Sequence, residues 1–82
     1  MSTTQKDIKE WLQRAKKNKA THVIVVCDTF DWEDYPVEVK STENIHKRIA
    51  EYDGKNMQKV MEVYNLNLDI EKQLNEGRSY NL

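Results

Sequence analysis

Two apolar runs flank a polar, aromatic turn in the stretch His22-Val23-Ile24-Val25-Val26-Cys27-Asp28-Thr29-Phe30-Asp31-Trp32-Glu33-Asp34-Tyr35-Pro36-Val37-Glu38-Val39. The four consecutive β-branched residues that begin at Val23 disfavour a helix and favour a pleated strand. Val37 and Val39 alternate with charged residues, which is typical of a strand with one buried face. The stretch therefore predicts a hairpin. It has a central strand over 21–27 and a second strand over 35–40, whose proline suits a sheet edge or a loop exit.

The turn of this hairpin has an unusual composition. A short hairpin turn normally uses two to five residues rich in Gly or Asn. Residues 28–36 contain no glycine, and they carry four carboxylates and three large aromatic rings. Rings in a polar loop either pack back on the core or contact a partner. Both readings stay open at the level of the sequence.

Helical spacing of apolar residues marks three other segments. Residues 5–18 place four apolar residues at intervals of three and four, which predicts an amphipathic helix that Thr4 can cap. A second helix is predicted over 42–52, after a cap at Ser41 or Thr42. A third is predicted over 68–76, ended by Gly77, with a tail whose last residues dock or fray.

Residues 56–64 fit a helix face and a strand equally well by periodicity. We favour a strand, because the segment is short and lies between two turn signals; this strand would put Met57, Met61 and Val63 on one face. The predicted order is helix, strand, strand, helix, strand, helix. The sequence thus predicts a single α+β domain over 1–82, in which a three-stranded antiparallel sheet carries its helices on one face.

Composition limits the classes of function. The chain has 82 residues, of which 38% are apolar and 33% charged, so its core is expected to be thin. Small chains with thin cores often gain stability by association, and we expect a homo-oligomer. The net charge of −1 argues against a general nucleic-acid-binding protein, which would be strongly basic.

The charges are unevenly distributed along the chain. Residues 6–19 hold six basic and two acidic residues, whereas residues 28–38 hold five acidic residues and no base. This pattern predicts a dipolar surface whose charges pair within one subunit or between subunits.

The sequence predicts a cytoplasmic protein. It has no apolar signal segment at the N-terminus and no apolar run that approaches the ~18 residues of a membrane span. The one cysteine, Cys27, excludes an internal disulfide and is expected to be a small buried apolar residue.

Chemical motifs are weak. The carboxylates of residues 28–34 lack the spacing and the glycine of a calcium loop, so we expect no metal and no cofactor. Cys27 and His22 have opposite parity on one strand and point to opposite faces, which argues against a cysteine nucleophile. We expect a protein without enzymatic activity.

Ligand binding is the more plausible chemistry. Phe30, Trp32 and Tyr35 offer flat surfaces on which a base could stack. A second group of residues could bind phosphate, because arginine and lysine suit that anion. Its members are His46, Lys47, Arg48 and Lys55. Residues 46 to 48 point about 100° apart on a helix, so at most two of them can converge on one ligand.

Residues 22–37, which read HVIVVCDTFDWEDYPV, resemble a segment of small bacteriophage and prophage proteins without an assigned function. The segments KNMQKVMEVY (55–64) and QLNE (73–76) resemble the same group. The resemblance implies a setting in the cytosol of a bacterial host and identifies no ligand residues. It suggests an anti-defence protein that sequesters a nucleotide-derived immune signal. The alternative is an inhibitor or adaptor that binds a host protein through the acidic aromatic loop 28–36.

Overall fold

The fold is described from a computed structural model, which covers residues 4–76 and 79–82. The elements in chain order are α1 (Gln5–Lys17), β1 (His22–Asp28), β2 (Glu33–Val39), α2 (Ile45–Tyr52), β3 (Gln58–Asn65) and α3 (Ile70–Asn75). This order confirms the predicted α+β fold, including the strand predicted within residues 56–64.

β1 is the central strand of the sheet. The strand order is β2-β1-β3, and both neighbours pair with β1 in the antiparallel direction. Asp28 pairs with Glu33 and Gln58 at one end of β1, and His22 pairs with Val39 and Asn65 at the other. With a rise of about 3.3 Å per residue, the two ends of this seven-residue strand lie roughly 20 Å apart.

The helices lie on both faces of the sheet, so the prediction of helices on one face is wrong. Val23 and Val25 pack with residues of α1 and α3, while Ile24 and Val26 pack toward α2. The cause is in β1 itself, because its consecutive apolar residues point alternately to opposite faces and both faces need cover.

The two layers are unequally packed. Leu12 and Ala15 of α1 are fully buried, whereas α2 has no fully buried residue and contacts the sheet through half-buried side chains. Those side chains are Ile45, Ile49 and Tyr52. The α2 layer therefore covers its face less completely than α1 and α3 cover theirs.

The helix termini follow the capping rules, with one shift. Thr4 accepts a hydrogen bond from the Asp7 amide, and Asp7 accepts one from the Thr4 amide, which completes a capping box at α1. The predicted cap of α2 at Ser41 or Thr42 is wrong, because Asn44 caps it and its side chain accepts from the amides of residues 46 and 47. Asparagine and serine are similarly favoured at the N-cap position, so capping preference alone does not fix where α2 begins.

A β-bulge overturns the predicted face pattern of β3. Val25 pairs with Glu62 and Val26 with Val60, so Met61 is the extra residue. Met61 packs against the α1 face, while Val63 lies in the core of the α2 face. Met57, predicted to share their face, precedes the strand.

The last four residues dock on the outer edge of β3. Tyr80 forms a parallel bridge with Val63, and its hydroxyl donates to the Val60 carbonyl at 3.1 Å. The carbonyl of Leu82 lies 3.2 Å from His22 Nε2. The tail thus satisfies part of an otherwise unpaired edge. The predicted stop at Gly77 lies outside the described residues.

Gln73 is a buried polar side chain that fixes the connection between β3 and α3. Its Oε1 accepts from the Asn65 amide at 2.7 Å, and its Nε2 donates to the carbonyls of Asn65 and Asp69 at 2.9 and 3.1 Å. The Gln73 side chain is 2% exposed, so water cannot easily take its place as the hydrogen-bond partner of these backbone groups.

We expect Gln73→Ala to lower the free energy of unfolding by about 2 kcal/mol, because it leaves part-buried backbone groups of Asn65 without their side-chain partner. Urea unfolding measures the loss. Gln13→Ala, at an exposed position on α1, is the control and should change stability by less than about 0.5 kcal/mol. An equal effect of the two substitutions would contradict this role for Gln73.

Candidate functional site: the acidic aromatic turn

The turn between β1 and β2 is held by the side chain and backbone of Asp28. Its Oδ1 accepts from the amide of Phe30 at 2.9 Å and from that of Asp31 at 3.4 Å. Its carbonyl accepts from the Trp32 amide at 2.6 Å. An aspartate that bonds amides two and three residues ahead stabilises a turn without glycine, which explains how residues 29–32 reverse the chain.

Phe30 and Trp32 point into solvent. They are 72% and 67% exposed and are the two most exposed large apolar side chains in the described part of the protein. Trp32 also has a φ of 56°, in the left-handed region that a bulky residue rarely adopts. The turn therefore displays two rings that contribute little to the core.

Tyr35, the third predicted ring, is placed differently. It packs against the core on the α2 face, and its hydroxyl accepts a hydrogen bond from Gln58 Nε2. Burial, with Tyr52 and Asp28 nearby, raises the pKa of the Tyr35 hydroxyl. The structure thus separates the three rings, leaving Phe30 and Trp32 free for a partner and using Tyr35 to anchor β2.

Met57 joins the turn at the same end of the sheet. The amide and Oγ1 of Thr29 donate to the Met57 carbonyl at 2.8 and 2.7 Å, which ties the turn to the loop that precedes β3. Met57 is 60% exposed and has a φ of 60°. The sequence did not predict Met57 at this surface, because strand alternation placed it on one face with Met61 and Val63. The adjacent Asn56, which tolerates the left-handed region, was the available turn signal.

Acidic groups surround the exposed rings. Asp31 and Glu33 are exposed and Asp34 is half-buried, and none of the three forms an ion pair with any residue that the structure describes. Lys55 and Lys59 lie on the β3 side of this end. We call the surface formed by residues 28–34 and Met57 the acidic aromatic end.

The predicted phosphate-binding residues are not gathered around the rings. His46 and Lys47 are exposed on the first turn of α2, which follows the far end of β2. Of the predicted group, Lys55 lies in the loop that carries Met57. The start of α2, with His46 and Lys47, therefore lies at the end of the sheet opposite Phe30 and Trp32.

Arg48 is engaged in intramolecular contacts. Its Nη1 donates to Glu51 at 2.7 Å, its Nε lies 3.2 Å from a Glu43 oxygen, and its guanidinium stacks 5.6 Å from the centre of the Tyr52 ring. A ligand phosphate would have to compete with both carboxylates for this side chain.

Other candidate chemistries receive no geometric support. Among residues 4–76 and 79–82, no three histidine, cysteine or acidic side chains converge to hold a metal ion. Cys27 is buried, and because it follows His22 by five residues on β1, the two side chains point to opposite faces of the strand.

A shallow concavity of about 240 Å³ lies along α3, away from the turn. Its lining residues are Leu68, Asp69, Lys72, Gln73, Glu76 and Asn81. No aromatic side chain lines it, so it does not provide the stacking surface that the sequence predicted.

Comparisons of this chain with protein-family models, with curated proteins and with solved structures give no match. The resemblance to phage proteins therefore stays a prediction. None of the helices in the described ranges has the length and apolar character needed to cross a membrane.

We expect Trp32→Gly to be more stable than Trp32→Ala by about 1 kcal/mol, because glycine adopts a positive φ without steric cost. Chemical denaturation of the two variants measures the difference. If Trp32→Gly instead costs more than about 2 kcal/mol relative to the natural protein, the ring packs on its own subunit and is not a free contact surface.

Proposed function

We propose that this protein is a small, non-enzymatic binding protein and that its acidic aromatic end contacts a protein partner. One observation carries the proposal: Phe30 and Trp32 stand 72% and 67% exposed on a turn that Asp28 holds in place. Large exposed aromatic side chains cost solvation free energy unless a partner covers them, and tryptophan is enriched among residues that dominate binding.

The way the turn is fixed also supports binding. Hydrogen bonds from Thr29 to Met57 and from three turn amides to Asp28 order the backbone before any partner arrives. A surface ordered in advance loses less conformational entropy on association. The positive φ values of Trp32 and Met57 are retained at positions where their side chains add little to the core.

The proposed setting rests on the resemblance stated above. We propose a phage-type protein that acts in the cytosol of a bacterial host, where it inhibits or recruits a host protein. The charge of the turn favours a partner that presents basic groups beside an apolar patch.

Substitution of Phe30 and Trp32 tests this function. Immobilised protein with Phe30→Ala and Trp32→Gly should lose at least about tenfold in affinity for a captured bacterial protein, since exposed rings at an interface are worth roughly 2 kcal/mol or more. Gln13→Ala, at an exposed position on α1, is the control and should leave capture unchanged. Capture that survives loss of both rings would place the interface elsewhere.

A nucleotide-derived signal remains the other prediction for the ligand. Because His46 and Lys47 lie at the end of the sheet opposite Phe30 and Trp32, a site that uses both groups requires two subunits. Calorimetric titration with cyclic nucleotides and adenosine-diphosphate-ribose-type compounds tests it. Trp32→Gly and Lys47→Ala should each weaken binding. If no compound of the panel gives heat at micromolar protein, the nucleotide hypothesis is rejected, but the hypothesis of a protein partner is not.

A further inference from the structure

The end of the sheet opposite the acidic aromatic end has the reverse charge. Lys16, Lys17 and Lys19 are exposed at the α1–β1 connection, and their ammonium groups form no ion pair with any described residue. Lys40 follows β2 at this end, where its Nζ lies 3.8 Å from a Glu38 oxygen and contacts the Asn18 carbonyl. We call this surface the basic end.

Acidic residues near the basic end have internal partners. Glu38 accepts from Asn18 and pairs with Lys40, and Glu43 pairs with Arg48. Asp69, at the margin, caps α3 by accepting from the Lys72 amide. Lys16, Lys17 and Lys19 are thus exposed bases at this end that form no ion pair with a described residue.

The basic end also exposes apolar side chains. Leu82 is 49% exposed, and its carbonyl contacts His22 and Asn65, the first residue of β1 and the last of β3. Leu68 is 54% exposed and follows three residues after Asn65. Each end of the sheet therefore combines exposed apolar groups with charges that form no ion pair with a described residue. At the acidic aromatic end, Asp31, Glu33 and Asp34 outnumber Lys55 and Lys59, whereas lysines predominate at the basic end.

We propose that the acidic aromatic end of one copy docks on the basic end of a second copy, in a head-to-tail arrangement. This inference rests on the proposed function of the turn as a binding surface, and it names a partner. Two acidic ends would repel one another, so a symmetric contact through the turn alone is disfavoured. A head-to-tail contact uses different surfaces on the two copies and repeats into a ring or an open chain.

Two broken surfaces provide the decisive test. A turn variant carries Phe30→Ser and Asp31→Lys, and a basic-end variant carries Lys16→Glu and Lys17→Glu; all four positions are exposed. Each variant alone should self-associate at least about tenfold more weakly than the natural protein. An equimolar mixture should form a heterodimer and stop there, since each partner retains one intact, complementary surface.

Light scattering and sedimentation of the full chain give the readout, over roughly a hundredfold range of concentration. The mass of the natural protein should rise with concentration and fall as salt is raised, because screening weakens exposed charge pairs. The control variant carries Lys6→Glu and Lys72→Glu, which change the net charge by the same amount as the basic-end variant but at other exposed positions. It should leave association intact. Thermal unfolding confirms that every variant is folded.

The outcomes separate this inference from the proposed function. A natural protein that stays monomeric, a mixture that forms no heterodimer, or a basic-end variant that still self-associates each overturns head-to-tail docking. If capture of another protein still depends on Phe30 and Trp32 in that case, the turn remains a binding surface with a different partner. If neither self-association nor capture of another protein depends on Phe30 and Trp32, the turn is not an interface.

Discussion

The burial of both faces of β1 is the constraint on which the rest of the structure depends. Val23 and Val25 point to one face of the sheet, and Ile24 and Val26 point to the other. If either face lacked a helix layer, two large apolar side chains would be exposed to water. The helices therefore cover the sheet from both sides, and the tail covers part of the β3 edge. The parts of the sheet itself that stay uncovered are its two ends and the edge of β2.

The two ends are unlike one another in construction. The acidic aromatic end is a tight turn bound to a neighbouring loop, so its rings are displayed from a fixed backbone. The basic end is formed where α1, β2, β3 and the tail terminate, and its lysines are long side chains on a helix end. Lysines there also interact favourably with the C-terminal end of the α1 dipole. That local role accounts for their position in part, but it leaves their charges unpaired and available.

The sequence predicted elements whose signal is local and repetitive. The β-branched run gave β1, the period of α1 gave its buried face, and the composition of residues 28–36 pointed to the exposed rings. It failed where tertiary contacts decide. The Met61 bulge changes the face of every residue on one side of it, and no propensity marks that position. Tyr35 lies within β2, and the groups that hold it against the core, Gln58 and the α2 layer, come from later in the chain. The helix layers were predicted on one side although the apolar run of β1 already required cover on two.

Opposite charge at the two ends gives the small net charge a structural meaning. A value of −1 describes a nearly neutral chain, yet carboxylates and lysines that form no ion pair with a described residue lie at opposite ends of β1, roughly 20 Å apart. Head-to-tail docking would cancel the poles pairwise and cover Trp32, Phe30 and Met57 in one contact. It would also place the turn of one copy beside the sheet end at which α2 of the next copy begins, close to His46 and Lys47. Rings and basic side chains that one subunit holds apart would then meet between two subunits.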